Sequence, residues 1–148
     1  MSEIDKIPVS DTEWDVRAVI DFLRRHPPSG TLTWPEAPDL SVFKSAARRA
    51  GWELFVVDPD KPTKKSFLNA CKKTFDFPSY FGHNWDALAD SLSDVDHSPE
   101  NGSLVLWMGW DEFSEEEPDD FETALDVMTE GIGDWSTKRI PAALILPG

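Results

Sequence analysis

The sequence predicts an α/β protein: a small three-stranded parallel sheet packed with helices, preceded by a helical extension. Three observations carry this. Short runs rich in β-branched, aromatic and aliphatic residues fall at 52–57, 104–108 and 142–146. The segments between them space their apolar residues at helical intervals. The last run, Ala142 to Leu146, is apolar without alternation, as a strand buried on both faces requires. Strands separated by helices imply parallel pairing through right-handed crossovers. A boundary near Gly51 divides the chain into an extension, residues 1–50, and a core, residues 51–148.

Each element has its own local warrant. Over 12–26, Val16, Val19, Ile20 and Leu23 form one apolar stripe. Thr12 and Asp15 resemble a capping box at its start, and Arg24, Arg25 and His26 suit the negative end of its dipole. Pro27 and Pro28 stop it. Residues 31–38, with Pro35 and Pro38, read as irregular. A second helix runs over 41–50 with Leu40, Phe43 and Ala47 inward, and Gly51 ends it. After the strand Trp52–Val57, Thr63 caps a helix with Leu68, Cys71 and Phe75 on one face and Lys64, Lys65, Lys72 and Lys73 in solvent. A short helix follows from Asn84 to Ser93, with Trp85, Leu88 and Leu92 inward. Asn101 and Gly102 turn the chain into the strand Leu104–Met108. Residues 115–120 read as an acidic loop and helix start. Phe121, Ala124, Leu125 and Met128 give the last helical stripe, with Gly131 as its end.

Charge narrows the function. The 148 residues carry 28 acidic and 14 basic side chains, a formal charge of −14. A nucleic-acid ligand needs a basic footprint and is excluded; a basic protein partner is favoured. The charge is uneven. Residues 1–50 hold 8 acids and 7 Lys or Arg, whereas between Lys73 and Lys138 there are 17 acids and no Lys or Arg. Cys71 is the single cysteine, so no internal disulfide and no Cys-rich zinc module is expected. With no export signal and no apolar run near the ~20 residues of a membrane span, a soluble cytoplasmic protein is expected.

The acids are also patterned. Asp86, Asp90 and Asp94 recur at i, i+4 and i+8, and so do Glu122, Asp126 and Glu130. Like charges so spaced destabilise a helix by about 0.2–0.5 kcal/mol per pair, and Glu130 sits at the end where the dipole disfavours an anion. Local frustration of this kind is found at functional sites. Spacing alone leaves alternatives open. The stripes could be a solvated face. Carboxylates near His83 or His97 could take a divalent cation, although no EF-hand spacing is present. Asp86 and Asp90 could act as an acid–base pair on a glycoside, although nothing else suggests a sugar site.

The stretch Phe77 to Leu92 resembles the barstar family, intracellular inhibitors of the secreted ribonuclease barnase. The resemblance rests on a proline, an aromatic pair, a glycine, an asparagine and an Asp-Ala-Leu followed by a second Asp: Pro78, Tyr80, Phe81, Gly82, Asn84, Asp86, Ala87, Leu88 and Asp90. It extends in pattern from about Trp52 to Leu146 and leaves residues 1–50 outside. It implies a three-stranded parallel sheet with helices, no catalytic residue, no cofactor and no metal. It also implies one-to-one binding of a basic secreted ribonuclease, barnase-like or a related toxin. In that relationship Asp90 occupies a substrate phosphate position and Asp86 faces the enzyme's basic residues. Tyr80 packs on the enzyme, Gly82 and Asn84 make loop contacts, and Glu130 completes the anionic surface. Phe81 stands in place of a second tyrosine, His83 in place of an acid and Ala89 in place of an interface tryptophan. A different basic partner, with the same fold retained as a binding module, is the alternative; a hydrolase comes third.

Overall fold

In the computed structural model, residues 4–8, 13–95, 99–136 and 140–148 are described. Thr12, expected in a cap, and His97, considered as a metal ligand, lie outside them. Among the described residues the elements run β1 (Asp5–Lys6), α1 (Val16–Arg25), β2 (Gly30–Trp34), α2 (Leu40–Ala50) and β3 (Trp52–Val57). They continue with α3 (Lys64–Thr74), α4 (Trp85–Ser93), β4 (Gly102–Trp107), α5 (Trp110–Glu116), α6 (Pro118–Gly133) and β5 (Ala142–Pro147).

The sheet has five strands rather than three, in the order β1-β2-β5-β4-β3, and every pairing is parallel. The extra two come from residues 1–50, so the extension is not purely helical. The segment expected to be irregular holds β2, which pairs along its length with β5, Leu32 opposite Ile145. The physical reason lies in β5. Ala142 to Leu146 are all buried, and a strand so apolar is stable as an inner strand with a neighbour on each edge; β4 supplies one and β2 the other.

Alternation along the strands divides the core into two layers. Val105, Trp107, Leu144 and Leu146 meet α3, α4, α5 and α6 on one face. Leu104, Leu106, Ala143 and Ile145 meet Val19 and Leu23 of α1 and Phe43, Ala46 and Ala47 of α2 on the other. Asp15 caps α1 by accepting from the Ala18 N–H at 2.8 Å. Gly51, at φ 74°, closes α2 in the left-handed conformation that glycine adopts without strain.

Several boundaries differ from expectation; β4 runs Gly102–Trp107 rather than 104–108, so Gly102 belongs to the strand and not to a turn before it. Residues 110–116 form α5, hidden in the sequence because only Phe113 of its seven residues is buried. Gly131 does not end α6, which continues to Gly133. Instead it brings α4 and α6 together: a Cβ at Gly131 would lie 2.7 Å from Leu92 Cδ1. The Trp135 indole N–H then donates to the Leu92 carbonyl at 2.9 Å, satisfying a last-turn acceptor of α4. On the other side of α6 the hydroxyls of Thr129 and Thr31 hydrogen-bond at 2.8 Å, tying α6 to β2.

A chain begun at Gly51 lays bare Leu104, Leu106, Ala143 and Ile145 together with one edge of β5. Such a truncation is expected to bind a hydrophobic dye and to lose the cooperative urea transition of the full-length chain.

Candidate functional site

The site is built on the loop from Phe77 to Asn84 and on α4. Phe77 and Phe81 are both buried, with ring centroids 5.0 Å apart, and the Phe81 N–H donates to the Pro78 carbonyl at 2.9 Å. That turn anchors the loop at its two phenylalanines and lifts Pro78, Ser79 and Tyr80 outward. Tyr80 is 86% exposed, against 6% for Phe81. It is the one large apolar side chain left exposed among the described residues. Phe81 faces the core, where a tyrosine hydroxyl would need an acceptor.

Asn84 starts the helix. Its Oδ1 accepts from the Ala87 N–H at 2.8 Å, and its Nδ2 donates to the Gly82 carbonyl at 3.2 Å. It therefore joins the loop to the first turn of α4. Leu88 and Leu92 are buried, so Asp86, Asp90 and Asp94 fall on the exposed side. Asp86 lies in the first turn, where the dipole favours it. Asp90 has no such support one turn later. Among the described residues the sole salt bridge is Arg25 to Asp21 at 2.8 Å, so neither aspartate has a cationic partner there.

A groove of about 620 Å³ runs between loop and helix. Phe77 and Phe81 form its apolar wall, Tyr80 and Gly82 its loop rim, and Asp90 and Asp94 its helix rim. Asp76, held at φ 54°, adds a further carboxylate. Of the residues singled out in the sequence, Tyr80, Gly82 and Asp90 thus meet at one concavity. Asp86 lies one turn away on the same helix. Glu130 is exposed on α6, next to the Gly131 that packs on α4, and does not line the groove. Asp94 was legible from its i+8 spacing; Asp76 reaches the groove through loop closure and had no local signal.

Burial pushes the Cys71 thiol up, which makes it a core side chain rather than a nucleophile. Among the described residues no three His, Cys, Asp or Glu side chains are arranged to hold a metal ion. None of the helices described is long and apolar enough to cross a membrane.

The α/β fold presents an acidic helix, with no salt bridge among the described residues, beside an exposed aromatic. The model of the barstar family, described as Barstar (barnase inhibitor), matches residues 52–147, from the first residue of β3 to the last of β5. The chain belongs to the barstar family and carries a barnase-inhibitor-like domain. No curated protein matches it.

Replacing Asn84 by alanine is expected to cost about 1 kcal/mol of stability, measured by urea denaturation. Asn84→Asp, which keeps a capping oxygen, should cost much less.

Proposed function

We propose that this protein inhibits a basic, barnase-like ribonuclease by filling its active-site cleft with α4 and the loop before it. The observation that carries this is the conjunction of Tyr80, exposed, with Asp86 and Asp90, unpaired, on either side of one loop–helix junction. A ribonuclease cleft is lined with cations that hold phosphates. Carboxylates fixed on a capped helix can take those positions and keep substrate out. Asp90 and Asp86 act as the phosphate mimics, Glu130 extends the anionic surface, and Tyr80 supplies apolar contact. Gly82 and Asn84 shape the loop that meets the enzyme.

The remaining acids contribute the long-range field, which steers a cationic enzyme and raises its association rate in a salt-dependent way. Binding is one to one, without cofactor or metal, and the inhibitor acts in the cytoplasm as an immunity protein against the toxin. Residues 51–148 carry the inhibitory surface. Residues 1–50 complete the fold by covering the far face of the sheet.

A second reading keeps the surface and changes the partner. Ala89, exposed on α4, offers little contact area where relatives present a tryptophan, which favours a basic toxin other than barnase itself.

Titration of barnase with the Asp90→Ala variant tests the first reading. If Asp90 is desolvated against Arg or Lys, the variant should bind more weakly by roughly 2–5 kcal/mol, seen mostly in dissociation. That range is the general one for truncating a buried charge pair, and charge pairs of the barnase–barstar complex are among the cases that define it. Wild-type association should slow as salt rises. Equal affinity of variant and wild type would remove Asp90 from this role.

A further inference from the structure

The loop that carries the acidic helix also meets the lysine-rich start of α3. A second concavity, about 550 Å³, is lined by Lys64, Lys65, Leu68 and Asn69 of α3 and by His83 of the loop. Leu68 is its buried floor. Among the described residues no carboxylate lines it. The Lys64 ammonium lies 5.0 Å from the centroid of the Trp85 ring, which fixes its charge beside the first turn of α4. His83 is held in the left-handed region, at φ 49°. Its Nδ1 lies 3.0 Å from the Phe81 carbonyl. A carbonyl only accepts, so Nδ1 carries a proton and donates it.

Neither lysine has an ion pair among the described residues. They stand side by side in a protein whose formal charge is −14, in a concavity that no described acid lines. The loop therefore separates two opposite surfaces: carboxylates on the α4 side and ammonium groups on the α3 side. An inhibitor that worked by negative field alone would gain nothing from cations at this position, because they repel a basic enzyme.

We infer that Lys64 and Lys65, in the notch walled by His83, receive a carboxylate of the ribonuclease, an Asp or Glu on the rim of its cationic cleft. This rests on the ribonuclease reading above and deepens it. The docking surface is bipolar, and it selects enzymes whose phosphate-binding cleft is bordered by an acid. Enzymes with a cation at that rim meet Lys64 and Lys65 and are rejected, so the notch supplies specificity by repulsion as well as attraction.

Charge removal separates this from the field account, because the two predict opposite signs. Lys64→Met with Lys65→Met keeps both aliphatic stems and makes the protein more negative. The probe is barnase, with association and dissociation followed at two salt concentrations. The notch predicts dissociation at least about tenfold faster for the Met pair, with the Arg pair, Lys64→Arg and Lys65→Arg, within about twofold of wild type. Binding of the Met pair as tight as wild type, or tighter, overturns the inference. If Asp90→Ala weakens the complex while the Met pair does not, only the notch is lost. If wild-type protein does not bind barnase, the ribonuclease reading fails and the notch assignment falls with it.

Discussion

The constraint on which the structure depends is the burial of β5. From Ala142 to Leu146 the strand offers apolar side chains to both sides and has none to show to water. It therefore needs a helical layer on each face and a strand on each edge. The family-matched part of the chain provides α3 to α6 on one face and β4 on one edge. The extension provides α1 and α2 on the other face and β2 on the other edge. Every element that carries a candidate contact is seated on the sheet organised around this strand.

The seating of α4 follows from that arrangement. α6 lies over the sheet and is tied to β2 through Thr129 and Thr31. Gly131 then removes a side chain where α4 must approach, and Trp135 closes the last turn of α4 from behind. A helix held in this way can carry unpaired carboxylates without fraying, because tertiary packing rather than local propensity maintains it. The electrostatic frustration of Asp90 is thus tolerated by a scaffold that a short isolated helix would lack. The same packing places Glu130 on the helix next to α4, although it stays outside the groove.

Much of this was legible in the sequence where the signal is local. Trp52–Val57 reads as a strand from composition alone, Thr63 and Asn84 announce their helices, and the acids of α4 betray an exposed face by their spacing. What could not be read depends on distant partners. β1 has two residues and is defined only by pairing with β2. β2 is a half-buried Thr-Leu-Thr run between a left-handed glycine and a proline, which resembles a loop until β5 is set beside it. In α5 a dense run of acids conceals a single buried Phe113. Gly131 has the local character of a helix stop, but its role is to admit Leu92. The groove acid Asp76 and the notch lined by both Lys64 and His83 arise from chain closure, which no periodicity encodes.

The net charge of −14 is consequently not one property. Part of it is a steering field, part is a fixed set of carboxylates beside an exposed tyrosine, and the nearby lysines mark a sharp local exception. The central claim is that this surface closes a ribonuclease active site. The most direct measurement is RNA cleavage by a fixed concentration of barnase as the wild-type protein is titrated in. The account predicts a linear fall in activity that reaches zero at one inhibitor per enzyme. Full activity in the presence of a large molar excess would contradict it.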